Sequence, residues 1–310
     1  MTFTQALQHA PVMLTEGAII ERLRRDSAIK LDPHVLNAGL LYDPAGRRAL
    51  TNVYRQYLEI GRATDLPMLV CAPTWRANRE RQRAAGLADR DVNGDAVRLL
   101  RALQAECGPY AGAVHVGGLL GCRGDAYNPA EALDLAAARD FHTPQVQALY
   151  AAGVDFLLAA TLPAVCEALG LAQALAATGL PYVLSCVVRS TGTWLDGTPI
   201  ADAIAHIDRA VSPPPSAYFV NCVHPTVFAA ALDVATRANP EAARRVVGLQ
   251  ANTSTLSPEE LDNRPHLDSA APERFAADML AVRLRFGTRV VGGCCGTDDR
   301  HLWALAAALR

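Results

Sequence analysis

The chain carries almost no net charge: 29 Lys and Arg face 31 Asp and Glu, a formal −2 over 310 residues. A protein built mainly on phosphate contacts needs a cationic excess, so nucleic acid is not an expected partner. The basic run of Arg76, Arg79, Arg81 and Arg83 is interrupted by Glu80 and reads as a solvated helix face. Aromatics make up only 6% of the chain, and its 22 glycines follow no period, which excludes a collagen-like reading. Neither nucleotide fingerprint is present in its required setting, GxGxxG in a βαβ unit or GxxxxGK[ST]. The best candidate for a membrane span, residues 168–188, is broken by Gly179-Leu180-Pro181 into a helix end and a new strand. Residues 1–10 are polar and lack the apolar segment of a signal peptide. These absences predict a cytoplasmic globular protein with no membrane partner.

What is present is an alternation. Short apolar runs at 12–14, 68–72, 113–117, 156–159, 182–188, 217–220, 246–249 and 289–291 are bounded by Gly, Pro, Asn or Thr and read as buried strands. Amphipathic stretches lie between them. Residues 52–63 place Val53, Tyr57, Leu58 and Ile60 near one face, and 144–152 and 272–286 each begin with proline, as a first helical turn allows. No low-complexity linker divides the chain, and Pro213-Pro214-Pro215 reads as a loop. Eight strands alternating with helices over 1–310 predict a single-domain (β/α)8 TIM barrel, with an open doubly wound sheet as the competing architecture. In a barrel the chemistry sits at the C-terminal strand ends.

Eight cysteines without a signal peptide are expected to be free thiols in a reducing compartment. Cys71, Cys107, Cys122, Cys166 and Cys186 fall inside apolar runs or helices and read as packing. Two strand ends differ. One is followed by Asn221-Cys222-Val223-His224-Pro225, the other by Gly292-Gly293-Cys294-Cys295-Gly296-Thr297. Three thiolates meeting at one barrel mouth, with a fourth position open, is the donor set of a catalytic zinc site. Packing of Cys222 and thiol redox chemistry at Cys294-Cys295 are the competing readings.

The GGCCGT and NC elements together resemble the homocysteine S-methyltransferase family, and the resemblance extends over nearly the whole chain. Tyr54 to Glu59 is similar to the family's first long helix. Pro73 to Asn78 and Gly121 to Asp125 are similar to its second and third strand-end loops, and Ala151 to Asp155 to the entry of its fourth strand. The family fold is a (β/α)8 barrel. The resemblance implies zinc held by Cys222, Cys294 and Cys295, with the substrate thiol as fourth ligand. The zinc-bound substrate thiolate would then be the nucleophile, and no separate protein nucleophile is called for. Asn221 is expected to support the metal site, and Glu21, Thr161 and Asn252 to contact substrate. Loop hydrogen bonding for Asn252 and decoration of the first helix for Glu21 are the plainer readings of those two residues.

The chain departs from the family in two places. The Asp-Gly-Gly loop that usually ends the first strand is replaced by Thr15-Glu16-Gly17, in which Gly17 and the later Glu21 match and Thr15 takes the Asp position. Where the family often has Glu-Thr in the fourth strand, this chain has Ala160-Thr161. A carboxylate for a substrate ammonium group is thereby missing, a contact of about 1.5–3 kcal/mol. The expected activity is zinc-dependent transfer of a methyl group from a sulfonium, quaternary ammonium or similar donor to homocysteine, giving methionine. The alternatives are a different thiol or selenol acceptor, or a non-catalytic zinc-binding barrel.

Overall fold

The computed structural model describes residues 1–261 and 268–310. Eight parallel strands close into a barrel in sequential order: Met13–Thr15, Met68–Cys71, Val114–Leu120, Phe156–Leu162, Tyr182–Cys186, Ala217–Asn221, Val246–Ala251 and Val290–Gly293. The first strand pairs with both the second and the last, so no edge is left open. The sequence is apolar where the barrel demands it. Every residue of the fourth strand is buried, because a parallel strand is covered by side chains within and helices outside. The eight expected strands are all present; the third and fourth each run three residues beyond their expected ends.

The helices follow local signals. Pro44–Thr64 starts behind the Asp43 side chain, which accepts from Gly46 N–H, and ends at Asp65 in the left-handed region. It buries Tyr54 and Tyr57, whose hydroxyls donate to Cys71 O at 2.7 Å and Ala18 O at 2.8 Å. This one helix therefore pins two strand-end segments. The helix expected to open at Pro144 opens instead at Leu135, behind an Asp134 cap, with Pro144 in its interior. Asp140, whose carbonyl loses its donor to Pro144, is exposed, so water can replace the missing bond.

Residues 1–10, polar in composition, form an amphipathic helix, Phe3–His9, held by a capping box of Thr2 and Gln5. Its buried face, Phe3, Ala6 and Leu7, closes the N-terminal end of the barrel. Phe3 stacks on Phe156 with ring centroids 4.2 Å apart, in a cluster with Met13, Leu69, Val183 and Phe219. Burying such a ring contributes about 1.5–3 kcal/mol. With that end plugged, only the opposite mouth can admit a ligand. Among the described residues no helix is long and apolar enough to cross a membrane.

Candidate active site

The sixth strand ends at Asn221 and the eighth at Gly293, so Cys222 and Cys294-Cys295 emerge side by side at the C-terminal mouth. Cys222 N–H donates to Gln250 O at 3.1 Å and Cys294 N–H to Ala251 O at 2.7 Å, which prolongs the barrel ladder into both loops. The three sulfurs lie within 4.8 Å of one another. Sulfurs of a tetrahedral thiolate zinc site sit about 3.8 Å apart, inside that limit, so the donor set fits such an ion.

Two glycines make the approach feasible. A Cβ on Gly292 would lie 1.9 Å from Thr15 Oγ1, so the last strand can pass the first only without a side chain there. Gly296 has φ of 83°, a left-handed turn that reverses the chain after Cys295. Thr297 Oγ1 then donates to Cys294 O at 2.7 Å and accepts from Ala18 N–H at 3.0 Å, locking the last loop to the first.

The asparagines hold the two cysteine loops. Asn252 donates through Nδ2 to Cys222 O at 2.9 Å and accepts from Cys295 N–H at 3.0 Å. Its amide thus bridges both loops, the loop role of its two expected roles, with both ends of the amide engaged. Asn221 reaches Cys222 Sγ at 3.3 Å through Nδ2 and accepts from Ser185 Oγ at 2.6 Å. It also donates to Thr161 Oγ1 at 2.7 Å and accepts from Thr161 N–H at 3.0 Å. Thr161 therefore lines the cavity with its backbone and hydroxyl already committed to Asn221.

Thr161 and Cys222 have φ of 61° and 59°. A left-handed conformation at a non-glycine residue costs about 1–3 kcal/mol and persists only where the surroundings over-determine it. Asn221 supplies that determination, bonding one strained residue from both sides and the other through its sulfur.

Glu21 stands at the mouth with both oxygens engaged: Oε2 accepts from Gly296 N–H at 2.5 Å, and Oε1 pairs with Arg25 at 3.3 Å. Its position braces the Cys295-Gly296 turn. His224 caps the helix Pro225–Ala238 by accepting from Thr226 N–H, a loop role as expected. Glu167 is a buried helical residue that accepts from Arg123 and Leu133 N–H and bonds His142.

Several residues at the site escaped the sequence reading. Arg76, read as part of a solvated face, is buried at the end of the second strand. It donates to Cys122 O at 2.8 Å and Gly124 O at 2.7 Å and stacks 4.1 Å from the Trp75 ring. A buried guanidinium must satisfy its donors, and two loop carbonyls do so for its Nη1. Trp75 donates to Ala160 O at 3.1 Å across the barrel mouth. Tyr127 lines the same cavity as Cys222. Glu16 follows the first strand directly and turns its side chain inward, where Oε1 accepts from Cys71 N–H at 3.0 Å. A carboxylate immediately after an apolar strand was the available signal.

The electrostatics are those of thiols competing for protons. Sulfur hydrogen bonds from Cys294 and Cys295 hold the Cys222 thiol well below its usual range, and the same contacts with Cys222 push Cys294 and Cys295 well above it. One negative charge forms readily and opposes the next, a balance that a bound cation reverses. The trio opens into a cavity of about 980 Å³ lined also by Glu16, Glu21, Trp75, Tyr127 and Ala160.

The family model for homocysteine S-methyltransferase matches residues 13–309. A homocysteine S-methyltransferase of Escherichia coli (strain K12) is 30% identical over 216 residues, 64% of this chain and 64% of that protein. Homocysteine S-methyltransferase YbgG of Bacillus subtilis (strain 168) is 26% identical over 174 residues, 55% of this chain and 52% of the relative. The matches thus span under two thirds of either relative's length. The crystal structure of the homocysteine methyltransferase MmuM from Escherichia coli in its metallated form superposes with a TM-score of 0.77 over 97% of both chains, at 24% identity, a likeness of fold. With the family model covering the chain from its first barrel strand through its last helix, this protein belongs to the homocysteine S-methyltransferase family.

Proposed function

We propose that this single-domain barrel is a zinc-dependent methyltransferase that passes a methyl group from a sulfonium, quaternary ammonium or similar donor to the sulfur of homocysteine, giving methionine. The observation that carries the reading is the convergence of Cys222, Cys294 and Cys295 at the open end of a barrel whose other end is plugged. These three residues would hold the ion. When bound, zinc supplies the charge that keeps a thiol substrate deprotonated near neutral pH, where a free thiol is mostly protonated.

The chain's own residues supply position. Asn252 fixes the spacing of the two cysteine loops, Glu21 holds the turn after Cys295, and Asn221 fixes the backbone around Cys222. The acceptor sulfur is thereby presented in one direction, into a cavity of about 980 Å³ that has room for a second small molecule beside the acceptor. Methyl transfer to sulfur is an in-line displacement, so holding donor and acceptor in one orientation lowers the barrier without any further nucleophile. The methyl carbon forms its new bond to the acceptor sulfur as its bond to the donor heteroatom breaks, and the donor keeps that electron pair. Trp75 and Tyr127 give the cavity aromatic surface that suits a cationic donor.

The test crosses homocysteine and other thiols with sulfonium and quaternary ammonium donors on the zinc-loaded protein. Methionine formed from homocysteine with at least one donor is the expected result. Transfer to none of the thiols, with zinc bound, would favour the non-catalytic metal-binding barrel.

A further inference from the structure

Two polar side chains on the cavity wall take no part in the steps above, and both are deeply buried: Asn37 is 4% exposed and Arg76 8%. Both line the space into which the cysteines open. Arg76 Nη1 is engaged by Cys122 O and Gly124 O, whereas its Nε and Nη2 have no hydrogen bond or ion pair among the described residues. The Asn37 carboxamide has no hydrogen-bond partner among them either, although it is buried on the same wall. The two residues share one corner of the mouth. Val35 and Ala38, on either side of Asn37, lie in one buried cluster with Ala77, which follows Arg76. Arg81 Nη1 donates to His34 O at 3.3 Å and ties the same two loops together.

This corner is cationic. Arg81 also lines the cavity, and its guanidinium donates to the carbonyls of His34 and Arg123 rather than to a carboxylate. Burial first, and then the Arg76 cation, hold Arg81 below its usual range. Asp125, next to Gly124, accepts from Tyr127 N–H and forms no ion pair among the described residues, and Glu80 is paired with Arg123. A buried guanidinium with open donors is costly unless an acceptor meets them. Nε–H and Nη2–H form one edge of a planar fork, the edge that matches the two oxygens of a carboxylate. The same guanidinium stacks 4.1 Å from the Trp75 ring, the aromatic surface that suits a cationic donor. A small molecule with an onium centre at Trp75 and a carboxylate at Arg76 satisfies both groups, whereas a bare cation meets repulsion from Arg76.

We propose that Arg76, with Asn37 on the adjoining loop, binds the carboxylate of the methyl donor and so restricts this barrel to zwitterionic donors. The inference rests on the methyl-transfer reading of the cavity and adds the class of donor. The discriminating probes are dimethylsulfoniopropionate and trimethylsulfonium, which keeps the sulfonium and lacks the carboxylate. Calorimetric titration of the zinc-loaded wild type, without acceptor, should show dimethylsulfoniopropionate bound about ten- to a hundredfold more tightly, the size of a charge-assisted contact. Arg76→Gln should collapse that preference with zinc content unchanged, weakening dimethylsulfoniopropionate while trimethylsulfonium binds no worse. Asn37→Ala keeps the guanidinium and should reduce the preference about two- to tenfold. Homocysteine should keep its affinity ratio to 3-aminopropane-1-thiol, its analogue without a carboxylate, in Arg76→Gln. A ratio lost there places the acceptor's carboxylate in this corner and overturns the proposal. So does equal binding of the two sulfonium probes by the wild type, a preference unaltered in either variant, or equal weakening of both probes by Arg76→Gln, the mark of a loop support only. Should Arg76→Gln fail to fold, the wild-type ratio and Asn37→Ala decide. The methyl-transfer reading fails separately: an Arg76-dependent preference with no transfer to any thiol leaves the carboxylate site standing and removes the enzyme.

Discussion

Asn221 grips Thr161 at both polar groups, donating to its hydroxyl at 2.7 Å and accepting its backbone N–H at 3.0 Å. Sixty residues separate them in sequence, and both lie on the wall of one cavity. The pair joins the fourth strand, where the chain turns left-handed at Thr161, to the sixth, where it does so again at Cys222. The amide side chain is thus the structural link between a strained cavity wall and a candidate metal ligand.

Asn221→Ala should therefore have two effects. It strands the buried Thr161 N–H and Ser185 hydroxyl, lowering stability by about 1–3 kcal/mol. It also frees the Cys222 sulfur from an orienting donor, which should weaken zinc about ten- to a hundredfold. Denaturant titration and competition with a chelator read the two separately. A variant with wild-type zinc affinity would detach Asn221 from the metal site.

The ligand assignment is tested by replacing cysteines one at a time. Ser at Cys222, Cys294 or Cys295 should cut zinc retention at least tenfold, because each removes one of only three protein ligands. Ser at the exposed Cys166 should leave about one zinc per chain. Metal analysis after gel filtration measures this, and equal retention in all four variants would sink the assignment.

Proton release on metal binding follows from the state of the thiols. Cys222 is held below its usual range, whereas Cys294 and Cys295 are held well above it and must each lose a proton to bind the ion. Zinc uptake at pH 7 should release about two protons, so affinity should fall about a hundredfold for each pH unit of acidification near neutrality. Calorimetry in buffers of different ionisation enthalpy counts them. Release of none would contradict a thiol site.

Glu16 should make the folded state less stable as pH rises. Its folded-state pKa of about 7 lies above the ordinary 4.5, so between those values the folded chain holds a proton that the unfolded chain has given up. Stability then falls as pH rises from about 4.5 through about 7, by about 3 kcal/mol in all. With a chelator present, Glu16→Gln should match the wild type near pH 4 and exceed its stability at pH 8. Urea denaturation at the two pH values checks the sign. A variant less stable than the wild type at pH 8 would mean that the carboxylate has a stabilising partner.

The sequence by itself determined the barrel and the location of its chemistry. Eight buried apolar runs alternating with helical stretches mark a parallel sheet with helices outside, a barrel first and an open doubly wound sheet second. Cys222 and Cys294-Cys295 were legible because each follows such a run, and Gly292, Gly293 and Gly296 mark backbone that must pass closely or turn. Tertiary structure decided what the polar residues do. Asn252 and Glu21 look from the chain like substrate contacts, and folding also gives each a hydrogen bond to a cysteine loop contributed by a different strand. Arg76 looks like surface and is buried, because its partners, the carbonyls of Cys122 and Gly124, arrive from the next strand-end loop. The polar first ten residues hide a plug whose apolar face appears only when wound into a helix. Glu16 became conspicuous only when folding buried one of its oxygens with no partner among the described residues. Apolar periodicity is a local property, readable residue by residue; hydrogen-bond satisfaction is a property of groups brought together from distant parts of the chain, and it exists only once the barrel has closed.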